Sequence, residues 1–77
     1  MKKLYRGVEI DVSREKCLGG WSEVYWTAYR ESDWYGIADG FGGGTVREMM
    51  TEMKRTVDQF LDEYQGDPEK WEEYLYH

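Results

Sequence analysis

The stretch of the sequence with the clearest chemical potential is the glycine-rich segment 40–45, GFGGGT. Free backbone amides at the start of a helix, together with the helix dipole, can hold an anion. The segment lacks the lysine of a phosphate-binding P-loop, and no strand follows it to complete a dinucleotide-binding unit. We therefore interpret the segment as a flexible connection between two elements, with Gly42, Gly43, Gly44 and Thr45 as candidate anion-binding residues in the alternative.

Residues that could carry out catalysis are few. The chain has one histidine, His77, at its last position and one cysteine, Cys17. Glu72, Glu73 and His77 have a spacing that a metal ion could accept, but a solvated face of a terminal helix explains the same pattern. Because a nucleophile, a base and an orienting group are not all supplied, we expect no enzymatic activity, no metal site and no cofactor.

Charge excludes two classes of partner. The chain carries 10 Lys+Arg against 16 Asp+Glu, a net charge of −6 at pH 7. Nucleic acids and anionic membranes attract proteins through cations, so we expect neither direct nucleic-acid binding nor membrane binding. Residues 45–77 hold most of the negative charge, and their carboxylates predict an acidic helical surface for a basic partner protein: Glu52, Asp58, Asp62 and Glu63. A solvated helix face is the alternative.

The aromatic content exceeds what a small core requires. Four Trp, seven Tyr and two Phe occur in 77 residues. Exposed tyrosines supply large contact areas at low entropic cost, so we predict Tyr5, Tyr25, Tyr29 and Tyr35 as contacts for a partner. Cross-strand aromatic pairs that only stabilise a sheet are the alternative.

Cysteine usage and hydropathy address location and assembly. One cysteine cannot form an internal disulfide, and no apolar run approaches the ~18 residues that span a membrane. The basic pair Lys2-Lys3 is not followed by an apolar signal segment, so we expect a cytoplasmic protein. A core of this size is marginal, which makes a homodimer a further alternative.

Residues 1–44 alternate with a period of two, which predicts strands. Leu4 and Val8 share the even-numbered face of the first strand with two later residues, and Arg6 is the exception to this pattern. Two further strands follow in 21–30 and 34–41. The register of the last strand stays open, since either Ile37 or Ala38 can point inward.

Residues 45–77 follow a period of 3.6, which predicts helices. Thr45 and Glu48 have the spacing of a capping box at the start of a helix over 45–65, which Gly66 ends. Asp67 and Pro68 then begin a short helix over 68–76.

These elements predict an α+β fold in a single domain, 1–77. A three-stranded antiparallel meander in 3–41 packs against one long helix, 45–65, because neither element is stable alone. The glycine-rich connection 42–44 joins them, and the short terminal helix follows. The even-numbered sheet face is predicted to meet the helix, which leaves the odd-numbered tyrosines on the outer face.

The segment 34–40 (WYGIADG) and the helix start at Gly44-Thr45 resemble the aromatic strand and capped helix of HicB-type antitoxins, which contain a partial RNase H-like domain. The resemblance covers 21–64 and implies a compact module that binds and masks a basic RNA-cleaving toxin. That family usually adds a DNA-binding helix-turn-helix or ribbon-helix-helix segment. Only 67–77 remains here, so operator binding is not implied, and no individual residue role is carried over.

Taken together, these observations predict a small, acidic, noncatalytic protein-binding module, in the manner of an inhibitor or antitoxin. An anion-binding or small-molecule-binding domain that uses the glycine-rich helix start is one alternative. A structural homodimer subunit is the other.

Overall fold

The computed structural model describes residues 1–16 and 18–76, which form an α+β fold; the predictions for Cys17 and His77 lie outside this part. The described residues form four strands, not three: β1 (Lys2–Tyr5), β2 (Val8–Lys16), β3 (Ser22–Arg30) and β4 (Tyr35–Gly42). They lie in chain order in one antiparallel sheet. Helix α1 (Val46–Asp58), a π-helical segment (Gln59–Glu63) and helix α2 (Pro68–Leu75) follow.

The fourth strand arises from a two-residue turn at Arg6-Gly7. Both residues have positive φ angles, 51° and 79°, as a type I′ hairpin turn requires. Tyr5 therefore pairs with Val8, so odd-numbered residues of β1 share a face with even-numbered residues of β2. The predicted continuous strand through Leu4 and Val8 is wrong for this reason: Leu4 lies on the opposite face and is 60% exposed.

The core forms between the even-numbered face of β2 and β3 and the apolar stripe of the helical half, as predicted. Its fully buried members from the sheet include Val8, Ile10 and Val24. Val57 and Phe60 from the helical half are equally buried. We call this helix-covered side of the sheet the inner face.

A β-bulge in β4 explains why its register could not be predicted. Ala28 pairs with Ala38 and Tyr29 with Gly36, so Ile37 is an extra residue between two pairs. Ile37 is buried and Tyr35 packs against the core, whereas Phe41 is exposed. Neither predicted register holds along the whole strand.

The glycines of β4 accommodate Trp26 of β3. A Cβ atom added at Gly40 would lie 2.9 Å from the Trp26 indole, and one at Gly42 would lie 3.4 Å from it. The indole therefore covers the inner face of this part of β4. A close approach between a backbone and a large ring thus accounts for part of the glycine-rich segment.

The helix ends follow the predicted capping signals. Thr45 Oγ1 accepts a hydrogen bond from the Glu48 backbone N–H at 3.1 Å, and the Asp67 carboxylate accepts one from the Glu69 N–H at 3.0 Å. Helix 45–65 is not regular throughout, because its last turn widens into the π-helical segment. It ends where Gln65 and Gly66 adopt left-handed φ angles.

Helix α2 is held to the sheet by Trp71. The indole is buried between Phe60 and Tyr64, with ring centroids 5.4 and 5.3 Å away. Its Nε1–H donates to the Ile37 carbonyl oxygen at 2.9 Å. This bond satisfies a backbone acceptor at the bulge and places α2 beside β4.

Candidate functional site

The face of the sheet opposite the helices is the largest candidate surface, and we call it the outer face. The helices pack on the other side, and no described residue outside the sheet forms a second layer on the outer face. The strand pairings place the following side chains on it: Lys2, Leu4, Glu9, Asp11, Ser13, Glu15, Glu23, Tyr25, Thr27, Tyr29, Asp39 and Phe41.

The outer face concentrates the negative charge of the molecule. Its side chains comprise five carboxylates and one ammonium group, a charge of −4 out of the chain's −6. Lys2 lies 3.7 Å from Glu9, and the N-terminal ammonium lies 3.9 Å from Asp11. Glu15 and Glu23 are direct cross-strand partners, an arrangement of like charges that costs stability.

Part of the predicted acidic surface of the helical half is paired with basic side chains from the first half of the chain. Arg6, Arg14 and Arg30 belong to the first half of the chain but reach toward the helical side of the molecule. Arg6 pairs with two helical carboxylates, whereas Arg14 and Arg30 donate to the carbonyl oxygens of Gly44 and Gly66. The rest of the molecule is therefore left with a charge of about −2, although residues 45–77 alone are strongly acidic.

Two of the predicted acidic contacts are tied to Arg6. Its guanidinium donates to Asp58 Oδ1 at 2.8 Å and to both oxygens of Asp62, at 2.9 and 3.0 Å. The hydrogen bonds from Arg6 lower the pKa of both carboxyls, and at Asp58 the Tyr5 hydroxyl adds to the effect. This cluster connects the β1–β2 turn to the end of α1.

Tyr5 is not on the outer face, so that part of the prediction is wrong. Its hydroxyl donates to the two Asp58 oxygens at 2.8 and 3.0 Å, and this bond raises the pKa of the phenol. The hairpin at Arg6-Gly7 reverses the face on which odd-numbered residues lie, as described above.

Tyr35 also lies toward the helices. Its ring stacks on Phe60 with the centroids 5.8 Å apart, and its hydroxyl donates to Glu72 Oε1 at 3.2 Å. Burial, reinforced by Glu72, raises the pKa of this phenol to about 12. Tyr35 is thus placed at the rim of a groove between β4 and α2, not on the outer face.

The remaining predicted acidic residues are exposed on the helices. Glu52 accepts a hydrogen bond from Arg55 at 2.9 Å, one turn along α1. Glu63 lies near Tyr64, Lys70 and Tyr74 at a shallow surface depression. Neither residue adjoins the outer face.

The aromatic residues that do share the outer face are Tyr25, Tyr29 and Phe41. The rings of Tyr25 and Phe41 are 5.8 Å apart, and the Tyr25 hydroxyl donates to Glu23 at 3.3 Å. Phe41 is 65% exposed and Tyr29 is 40% exposed. Tyr25 and Tyr29 were predicted at this place and Phe41 was missed because the register of β4 was open.

The carboxylates of the outer face were also missed as site residues. Glu9, Asp11 and Glu15 alternate with the core residues of β2, and this odd-numbered pattern is visible in the sequence. The net charge of residues 1–44 is close to zero, so a sum along the chain does not reveal that these carboxylates share one face. Summing charge by strand face would have found these residues.

The helix start at 42–45 is already occupied by its own side chains. The Thr45 hydroxyl bonds Glu48 Oε1 at 3.1 Å, and Arg14 donates to the Gly44 carbonyl oxygen at 2.6 Å. The Glu48 carboxylate thus lies where an anion would approach the free amides, which disfavours the anion-binding alternative. Gly42 belongs to β4, and Gly43 lies in open space.

Two further findings concern the described ranges only. Within 1–16 and 18–76, no three His, Cys, Asp or Glu side chains come together as metal ligands would. No helix in these ranges combines the length and apolar character needed to cross a bilayer.

Comparison of this chain with protein-family models, with curated proteins and with solved structures finds no match. The resemblance to HicB-type antitoxins therefore stays a prediction from the layout of the sequence.

Proposed function

We propose that this protein is a noncatalytic protein-binding module whose outer face binds a basic surface of another protein. The observation that carries this proposal is the combination found there: the exposed rings of Tyr29 and Phe41 and the half-buried ring of Tyr25, which packs on Phe41, set among five carboxylates. Rings contribute contact area at an interface, and the surrounding charges steer and orient the partner.

The electrostatic cost within the sheet supports this proposal. Glu15 and Glu23 face each other across β2 and β3, although Arg or Lys at either position would stabilise the pair. On the helical side, by contrast, Asp58 and Asp62 are matched by Arg6. A charge arrangement that weakens the free protein is expected where a partner supplies the opposite charge.

An inhibitor or antitoxin that masks a basic, nucleic-acid-binding partner is the specific form of this proposal that the HicB-like layout suggests. The cationic footprint by which such a partner would hold phosphates is complementary to the outer face. In this form the protein acts by occupying the partner's site and carries out no reaction itself.

The test compares two triple variants with the same change in charge. Glu9→Gln/Asp11→Asn/Glu15→Gln neutralises part of the outer face. Glu63→Gln/Glu69→Gln/Glu73→Gln neutralises helical carboxylates that have no basic partner within 4 Å among the described residues. Each tagged protein is incubated with lysate of the organism that encodes it, and retained proteins are quantified by mass spectrometry.

We expect the wild type and the helical variant to retain the same basic protein, and the outer-face variant to retain about tenfold less or lower. Retention by the wild type should also fall when the salt concentration is raised, because the charges are exposed to solvent. Equal loss in both variants, or retention that is insensitive to salt, would contradict the proposal.

A further inference from the structure

The two edges of the sheet differ in how they are protected. The edge strand β1 is four residues long and carries Lys2 and Lys3, features that discourage pairing with another chain. The other edge strand, β4, has eight residues, no proline, and Asp39 as its one charged side chain. Among the described residues, β4 pairs with β3 alone.

The hydrogen-bond pattern shows which backbone groups of β4 face outward. The Glu31 N–H donates to the Gly7 carbonyl oxygen at 2.9 Å, so Val8 and Arg30 form a non-hydrogen-bonded pair. Alternation along β3 then directs the backbone groups of Ala28 and Trp26 toward β4. Their partners in β4 face inward, and the N–H and C=O groups of Asp39 and Phe41 face away from the sheet.

One outward-facing carbonyl of β4 is already bonded. The Ile37 oxygen accepts from the Trp71 indole, so the bulge is closed by α2. The next outward-facing N–H and C=O groups in the chain direction, at Asp39 and Phe41, form no hydrogen bond with any described residue. The backbone groups of these two residues therefore have the spacing that pairing with a further strand requires.

A groove runs beside this edge and is walled by the C-terminal half of α2. It has a volume of about 340 Å³ and is lined on the helix side by Glu72, Leu75 and Tyr76. Leu75 is 45% exposed and Tyr76 is 84% exposed. The charged residues at the groove are Asp39, whose side chain lies on the outer face of β4, and Glu72 of α2. Both are acidic, so the groove and its rim are complementary to an apolar segment that carries lysine or arginine.

We propose that the β4 edge binds an extended segment of a partner protein in which apolar residues alternate with Lys or Arg. The segment adds a fifth strand through the backbone groups of Asp39 and Phe41, and side chains from one of its faces enter the groove beside Leu75. This inference rests on the proposed function, because it states how a basic partner would engage the sheet. Strand addition of this kind takes affinity from main-chain bonds and specificity from alternate side chains.

Charge disfavours a second copy of this chain as the occupant. Antiparallel pairing of two identical β4 edges has its two-fold axis perpendicular to the sheet, so both outer faces would lie on the same side. Two surfaces of −4 would then form one continuous acidic sheet. A basic partner segment instead neutralises the charge at the edge.

The probe is a synthetic acetylated and amidated peptide of three Lys-Val repeats. The matched control is the same peptide with every backbone nitrogen methylated, which keeps every charge and side chain but removes the N–H donors from both edges. Binding is followed by titration of the isotope-labelled protein with NMR. We expect the backbone N–H groups of Asp39 and Phe41 to become protected from exchange by the parent peptide, and the methylated peptide to bind about tenfold more weakly.

Two protein variants give an independent measurement. Phe41→Ala and Phe41→Pro lose the same ring, but only the proline variant also loses the outward-facing N–H. Proline is tolerated at such an edge position. We expect Phe41→Pro to bind the parent peptide several-fold more weakly than Phe41→Ala does. If the proline variant does not fold, as judged by its NMR spectrum, the comparison of the two peptides on the wild type decides.

Equal binding of the parent and methylated peptides would overturn the inference, since attraction would then be electrostatic alone. Protection of Asp39 and Phe41 without peptide, together with a dimer in sedimentation, would overturn it in favour of a second copy. If the peptide does not bind at the β4 edge but the outer-face triple variant still retains less of the basic protein from lysate, this inference is removed and the proposed function stands. The reverse result, with edge binding intact and capture insensitive to the outer face, would remove the outer-face proposal instead.

Discussion

The two faces of the sheet use the same kinds of residue for opposite purposes. On the helix-covered side, aromatic rings are buried and charges are paired: Phe60 of the helical half is fully buried, and Arg6 of the β1–β2 turn matches Asp58 and Asp62. On the outer face, Phe41 is 65% exposed, and Glu15 faces Glu23. The inner face satisfies the requirements of folding, whereas the outer face leaves apolar area and negative charge available for a partner.

The same substitution on each face gives the sharpest test of this difference. Phe60→Ala removes a fully buried ring that contacts Tyr35 and Trp71, so we expect a loss of about 3–5 kcal/mol in the free energy of unfolding. Phe41→Ala should cost less than about 1 kcal/mol, because most of that ring is already in water. Urea denaturation followed by circular dichroism measures both, and equal losses would contradict the assignment of the two faces.

Helix ends and the inner face were predictable from sequence because their signals are local. Thr45 with Glu48, and Asp67 with Pro68, carry their capping chemistry within a few residues. Along β2, buried residues alternate with half-buried ones, beginning with Val8 and Ile10. This alternation likewise shows which face of the strand is buried. Such patterns depend on neighbouring residues alone.

The missed features depend on pairing between distant segments. The Arg6-Gly7 turn is a two-residue signal, yet it changes the strand count and reverses the face of Leu4 and Tyr5. The bulge at Ile37 depends on β3 and on the Trp71 indole from a helix that follows much later. For the same reason the charge of the outer face became visible only after each residue was assigned to a face.

A pair of glycine substitutions tests the close approach of Trp26 on the inner face. A methyl group at Gly40 would lie 2.9 Å from the indole, so Gly40→Ala should destabilise the fold by about 1–3 kcal/mol through overpacking. A Cβ atom added at Gly43 would have no other atom within 4 Å. Gly43→Ala should therefore leave the free energy of unfolding unchanged or raise it by up to about 1 kcal/mol. Thermal unfolding of the two variants distinguishes these outcomes; a stable Gly40→Ala protein with unchanged Trp fluorescence would show that the indole does not cover β4.

The paired charges of the inner side predict a dependence of stability on pH. Arg6 lowers the pKa of Asp58 and of Asp62 in the folded protein, so the unfolded chain binds protons more readily than the folded one. Their contribution is fully present above the unfolded-state pKa of about 3.9 and is lost as the pH falls through the lowered folded-state values. The free energy of unfolding should therefore decline between about pH 5 and pH 2.

The control for this pH effect is a pair of double variants. Asp58→Asn/Asp62→Asn should flatten the acid part of the curve, whereas Glu69→Gln/Glu73→Gln should leave its shape unchanged. Asp33, whose pKa beside Arg30 is lowered to about 2, remains in both variants and keeps a residual slope at the acid end. Curves of the same shape for both double variants would show that the Arg6 cluster does not form in solution.

The smallest expected change in stability is the most informative about the outer face. Glu15→Lys replaces a repulsive cross-strand pair with an attractive one opposite Glu23, so the variant should be more stable than the wild type by about 0.2–1 kcal/mol. Chemical denaturation at low salt measures the gain, which should shrink at high salt because both groups are near the surface. The same variant should bind a basic partner less tightly, since its outer face loses two units of negative charge. A gain in stability joined to a loss of binding would show that this repulsion is retained for recognition; a loss of stability would mean that Glu15 and Glu23 do not face each other, and the charge argument for the outer face would weaken with it.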